Sequence, residues 1–122
     1  VAKVLVVEDN VDNMKLTTFV LESAGHTVLG ATTAEAALAL ARSEQPNLIL
    51  MDIQLPGMDG LEATGLLKGA DATSAIPVIA LTALTMKGDE ERIRAAGCDG
   101  YIAKPMRYKD FLEYVSIQLA RL

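Results

Sequence analysis

Apolar residues fall along the chain in short runs set off by turn residues: Val4-Leu5-Val6-Val7, Thr27-Val28-Leu29, Leu48-Ile49-Leu50-Met51, Val78-Ile79-Ala80-Leu81 and Gly100-Tyr101-Ile102-Ala103. Runs of this length predict about five strands. Several are apolar at every position rather than at alternate ones, the pattern of a parallel strand covered by helices on both faces. Between the runs the period lengthens. Leu16, Phe19, Val20 and Ala24 share one helical face, as do Tyr108, Phe111, Leu112, Val115 and Leu119. Gly25 and Gly97 stand where a left-handed helix stop belongs. Thr32, followed three residues later by Glu35, fits a capping box ahead of an Ala-rich stretch. Strand and helix alternate from end to end, which predicts a doubly wound α/β domain, because parallel strands are joined by right-handed helical crossovers. No linker, low-complexity tract or internal repeat interrupts the pattern, so residues 1–122 read as one domain.

Composition narrows the function classes. The chain is 51% hydrophobic and 22% charged, with mean hydropathy +0.28, which supports a buried core rather than disorder. Sixteen acidic residues against 11 basic ones give a net charge of −5. That balance disfavours a broad grip on nucleic acid or anionic lipid. One cysteine, Cys98, closes no intrachain disulfide, and one Cys with one His makes no zinc cage unaided. The apolar runs are far shorter than the roughly 20 residues of a membrane span. A soluble, cytoplasmic setting is expected. The chain begins at Val1 rather than Met, so flanking segments stay open.

Chemistry gathers at the strand ends. In an open parallel sheet, ligands bind outside the carboxyl ends of the strands, where strand order reverses. The first strand runs into Glu8-Asp9, the third into Asp52, the fourth into Thr82 and the fifth into Lys104-Pro105. If the first and third strands are neighbours, three carboxylates meet in one pocket and their repulsion calls for a cation. Mg²⁺ fits such a set: it takes hard oxygen ligands and is commonly shared between carboxylates and a phosphate.

These residues resemble the receiver domain of bacterial response regulators. The likeness runs through Glu8-Asp9-Asn10, Met51-Asp52-Ile53-Gln54-Leu55-Pro56-Gly57-Met58-Asp59-Gly60, Leu81-Thr82-Ala83 and Lys104-Pro105, and covers nearly the whole chain. Asn13-Met14-Lys15-Leu16, Asp52-Ile53-Gln54-Leu55-Pro56 and Met86-Lys87-Gly88-Asp89-Glu90-Glu91-Arg92-Ile93 look most like the DivK type of single-domain regulator. The resemblance implies a flavodoxin-like (βα)5 sandwich whose five-stranded parallel sheet has the order 2-1-3-4-5. It also implies that the carboxylate of Asp52 takes a phosphoryl group from a phosphohistidine, in a signalling switch rather than a turnover enzyme. Glu8, Asp9, Asp52 and the main-chain carbonyl of Gln54 would hold Mg²⁺, with Mn²⁺ able to take its place. Lys104 and Thr82 would contact phosphoryl oxygens, and a cis bond before Pro105 would fix the Lys104 loop. Thr82 and Tyr101 would switch the face formed by the fourth helix, fifth strand and fifth helix. Gln54 and Leu84 would set the phosphate lifetime, with apolar Leu84 limiting water access or Gln54 dominating. The implied partners are a histidine kinase or histidine phosphotransferase upstream and a protein target downstream. No nucleic acid or membrane contact is implied, and the chain is expected as a monomer or weak dimer.

Plainer readings stand beside these. A lone Asp after a strand is usually a turn former, and it is the joint occurrence of Asp52, Glu8-Asp9, Thr82 and Lys104-Pro105 that favours chemistry. Gly57, Asp59 and Gly60 shape the loop after Asp52. Thr82 alone could cap the next helix, and Tyr101 alone could be edge-strand packing. Asp12 suits a helix N-terminus, His26 the surface, Cys98 the interior, and the five Met residues packing or an interface. A free-standing regulator and a domain cut from a hybrid kinase fit equally. Among other classes, an aspartyl-phosphate phosphohydrolase is expected to carry a second Asp two residues after the nucleophile, where Gln54 stands. Nucleotide binding lacks a P-loop or G-x-G-x-x-G pattern. A phosphate-independent interaction domain is a further alternative.

Overall fold

Five strands alternate with five helices in a computed structural model that describes residues 2–55, 57–83, 88–104 and 107–120. In chain order they are β1 (Lys3–Val7), α1 (Val11–Ser23), β2 (Thr27–Ala31), α2 (Ala34–Glu44), β3 (Leu48–Asp52), α3 (Gly60–Gly69), β4 (Val78–Thr82), α4 (Asp89–Ala95), β5 (Gly100–Ala103) and α5 (Tyr108–Ala120). All pairings are parallel and the order is β2-β1-β3-β4-β5, as the family resemblance implies. The register sets Val7 beside Met51 and Asp52 beside Leu81, so the strands end nearly level.

Alternate strand residues serve opposite faces. Leu5, Val7, Ile49, Met51, Val78 and Ala80 pack under α2, α3 and α4, against Ala37, Ala63, Leu67 and Ile93. Val4, Val6, Leu48, Leu50, Ile79 and Leu81 pack under α1 and α5, against Leu21 and Val115. β1, β3 and β4 bury both faces, which is why they read as unbroken apolar runs. Each large side chain buried this way contributes on the order of 1.5–3 kcal/mol.

Helix ends are mostly closed by local chemistry. Asn10 caps α1, its Oδ1 accepting from the Asn13 N–H at 2.9 Å. Asp59 caps α3 by accepting from the Glu62 N–H at 2.8 Å. Gly25 and Gly97 have φ of 89° and 103°, the left-handed stops expected of them. Gln45 ends α2 at φ 48° without being glycine; its Nε2 donates to the carbonyls of Ala41, Arg42 and Ala72, which offsets the backbone cost.

Three local expectations are corrected. In α1 the face toward the sheet runs through Met14, Thr17, Thr18 and Leu21, whereas Leu16 is 43% and Phe19 71% exposed and Ala24 is also exposed. Two threonines lie in the inward stripe, so apolar counting selects the neighbouring one. Of the residues expected on that face, only Val20 is buried. At α2 the cap is Thr33, whose Oγ1 accepts from the Ala36 N–H at 3.2 Å, not Thr32. Adjacent threonines offer two registers, and the one used does not place Glu35 at the reciprocal position. Tyr108, at the first turn of α5, is 54% exposed, while Phe111, Leu112, Val115 and Leu119 pack inward as expected. Among the described residues no helix is long and apolar enough to cross a membrane.

Candidate functional site

The C-terminal edge of the sheet brings acids from β1 and β3 together. Glu8 follows β1, and its N–H bonds the Ala31 carbonyl of β2 at 2.9 Å, which extends the strand line and sets the side chain over the edge. Asp52 ends β3. Glu8 is 3% and Asp52 7% exposed, whereas Asp9 is exposed. Carboxylate oxygens of all three lie within 4.8 Å of one another. Asp12, expected to serve a helix start, lies in the first turn of α1.

Lys104 answers this charge from the end of β5. Its N–H donates to the Thr82 carbonyl at 2.8 Å, tying the β4 and β5 ends together. Its Nζ lies 3.3 Å from Glu8 Oε1 and 3.7 Å from Asp52 Oδ2. One cation does not balance three crowded acids. Burial, reinforced by the hydrogen bond and charge of Asp52 and opposed by Lys104, pushes the Glu8 carboxyl up to about 7. A donor set of hard oxygens, held close and short of positive charge, is what a small divalent cation such as Mg²⁺ requires. The residues therefore fit the ion.

The loop after Asp52 reaches back to its carboxylate. The Gln54 N–H donates to Asp52 Oδ1 at 2.9 Å and so orients the carboxylate, while the Gln54 side chain is exposed. Gly57 has φ 74°, a conformation that favours glycine. Thr82 is buried at the end of β4 and is not the cap of α4, which starts after Gly88. Tyr101 is half-buried and packs against the core cluster that contains Ile93 and Cys98. Leu84 and Pro105 lie outside the described residues. Beside Glu8 and Lys104 opens a groove of about 800 Å³ between α1 and α5, lined in part by Leu16, Val20, Tyr108 and Phe111.

Sequence reading missed two features, one at the acids and one at the opposite edge of the sheet. The main-chain hydrogen bond to Asp52 leaves no signal in residue type. Lys68 donates to the Ile76 carbonyl and to Asp99 Oδ2, each at 2.8 Å, and the same Asp99 oxygen accepts from the Val78 N–H at 2.8 Å. These two charges lie far apart in the chain and look like ordinary surface residues. His26 is half-buried rather than on the surface, with Nδ1 shielded and without a hydrogen-bond partner among the described residues. Cys98 is buried as expected; its thiol lies 3.8 Å from Thr64 Oγ1, and burial pushes it up.

A family model described as the response regulator receiver domain matches residues 4–116. The chain belongs to that family. It is therefore a receiver of two-component signalling, and its curated relatives agree. It is 50% identical over 116 residues to the polar-differentiation response regulator DivK of Brucella anthropi, covering 95% of this chain and 94% of that protein. The DivK of Brucella ovis is 49% identical over the same length. Among solved structures, the receiver domain of a sensor histidine kinase from Pseudomonas aeruginosa superposes with TM-score 0.90 at 31% identity, covering 98% of each chain, and that structure has a magnesium ion coordinated in its active-site cleft. The signal receiver domain of a histidine kinase from Syntrophus aciditrophicus reaches TM-score 0.93 at 29% identity, covering 100% of this chain and 92% of that one. The receiver is thus of the DivK type in sequence and of the common receiver fold in structure.

Proposed function

We propose that residues 1–122 form a phosphoacceptor receiver unit in which Asp52 accepts a phosphoryl group from a phosphohistidine. The carrying observation is the buried Asp52 carboxylate, oriented by the Gln54 N–H and set beside Glu8, Asp9 and Lys104. Asp52 Oδ forms the new P–O bond as the P–N bond of the donor breaks, and the electron pair stays on the imidazole nitrogen, which then takes a proton. Mg²⁺, held by Glu8, Asp9, Asp52 and the Gln54 carbonyl, would supply charge neutralisation at the phosphoryl oxygens. Lys104 offers a point charge for one of those oxygens, and Thr82 a hydroxyl donor for another.

Output follows from the added charge, roughly −1.5 to −2, beside Thr82. Drawing the Thr82 hydroxyl toward phosphate empties space behind it, and Tyr101 turns inward to fill it, changing the face of α4, β5 and α5 that a target protein meets. Gln54 and Leu84 bear on how water reaches the acyl phosphate. The chain is then a switch that catalyses its own modification rather than a turnover enzyme.

The donor is a histidine kinase or phosphotransferase in the cytoplasm. Its phosphohistidine must reach Asp52, and the groove between α1 and α5 beside the acids, flanked by exposed Leu16 and Tyr108, offers the apolar surface for that approach. Intact mass after incubation with Mg²⁺ and acetyl phosphate tests the reading. Wild type gains one phosphoryl group, while Asp52→Asn and a metal-free sample gain none. No gain in wild type despite bound Mg²⁺ overturns self-catalysed acceptance.

A further inference from the structure

Gly60 is the first residue of α3, where the chain leaving β3 has turned back on itself. Its N–H donates to the Ile53 carbonyl at 3.2 Å. A Cβ placed on Gly60 would collide with the Asp52 carbonyl oxygen and would lie 2.7 Å from Ile53 Cα and 3.0 Å from the Asp52 carbonyl carbon. All three are main-chain atoms, so no side chain can swing aside. Gly60 is not among the glycines with positive φ, and its backbone conformation is open to any residue. Space alone requires glycine here. One turn on, fully buried Thr64 donates from Oγ1 to the Gly60 carbonyl at 2.8 Å inside α3 itself, and it is the Gly60 N–H bond to Ile53 that ties the helix start to the strand end.

We propose that Gly60 is a positioning residue for the chemistry at Asp52. The first turn of α3 rests directly on the Asp52–Ile53 peptide, and the missing side chain sets how far Asp52 reaches toward Lys104 and the other acids. The role in phosphoryl transfer rests on the receiver reading above. A side chain at position 60 pushes the peptide, and the carboxylate moves with it. Displacement of a reacting group by about 1 Å costs up to a hundredfold in rate.

Gly65 provides the control, because it lies in the same helix and a Cβ there meets nothing within 4 Å. Three quantities are measured on wild type, Gly60→Ala and Gly65→Ala: thermal midpoint, hydrogen exchange at the Gln54 amide that bonds Asp52, and the rate of phosphoryl gain from acetyl phosphate with Mg²⁺. Gly60→Ala should slow phosphoryl gain by about tenfold or more and speed Gln54 exchange, with Gly65→Ala matching wild type in both. A Gly60→Ala protein within twofold of wild type in rate, with unchanged Gln54 exchange, overturns the proposal. Should Gly60→Ala not fold, Asp59→Ala removes the cap that fixes the first turn of α3 over the Asp52–Ile53 peptide and must move the same two readouts, or the proposal fails. If wild type gains no phosphoryl group, self-catalysed acceptance at Asp52 falls, while Gln54 exchange still decides whether Gly60 fixes the Asp52 carboxylate.

Discussion

Glu8 is electrostatically strained by its surroundings, and the consequences belong to a single side chain. Its carboxyl is pushed from 4.5 in the reference state to about 7 by burial first and by Asp52 second. Between those values the folded protein holds a proton that the unfolded chain has released, so this group makes stability fall as pH rises through the window. The loss is complete above about 7, with a ceiling on the order of 3 kcal/mol. Urea unfolding in EDTA at pH 5 to 8 should show wild type losing stability relative to Glu8→Gln as pH rises. Parallel curves for the two proteins would mean that Glu8 is not strained. The identity of this side chain was legible in the sequence, as a Glu-Asp pair after an apolar run. Its strain was not, since that depends on Asp52, 44 positions away in the chain, ending the adjacent strand.

At the scale of elements, α3 and α1 differ in how they are held and in what they expose. α3 is anchored at both ends, by Gly60 on the main chain at Asp52 and by Lys68 on Asp99 and the Ile76 carbonyl. Removing Asp99 takes away the ion partner of Lys68, which keeps the Ile76 carbonyl, and the acceptor of the Val78 N–H, at a cost of about 1–3 kcal/mol. Asp99→Ala should lower the urea midpoint accordingly and speed exchange of the Val78 amide while leaving phosphoryl gain from acetyl phosphate near the wild-type rate. α1, by contrast, turns Leu16 and Phe19 outward. Leu16→Asp should reduce phosphoryl transfer from a phosphohistidine protein by tenfold or more and spare the small donor. Equal loss with both donors would place the effect in the acidic site instead. These element roles were only partly legible: the strands stood out because they are apolar throughout, whereas the inward face of α1 was hidden by Thr17 and Thr18, whose type says surface though their positions face the sheet. The Thr33 cap escaped for a similar reason, with two threonines competing for one role.

For the molecule as a whole, the site is a product of topology. Any cation bound by Glu8, Asp9 and Asp52 binds only the folded chain, so Mg²⁺ at a hundred times its dissociation constant should add about 3 kcal/mol of stability. The gain should show as slower amide exchange across β1 and β3 together, and it should shrink in Asp52→Asn. A gain confined to the loop residues would mean that the ion does not bridge the two strands. The order β2-β1-β3-β4-β5 seats β1 beside β3, although β2 and two helices separate them along the chain. Pairings between residues so distant in sequence are slow to form. Until they do, Glu8, Asp9 and Asp52 are three ordinary acids scattered on a loose polymer, without a shared field to concentrate an ion or activate a nucleophile. A half-finished chain is consequently mute to the signalling system, and competence to be addressed arrives in the same step as the central pairing of the sheet.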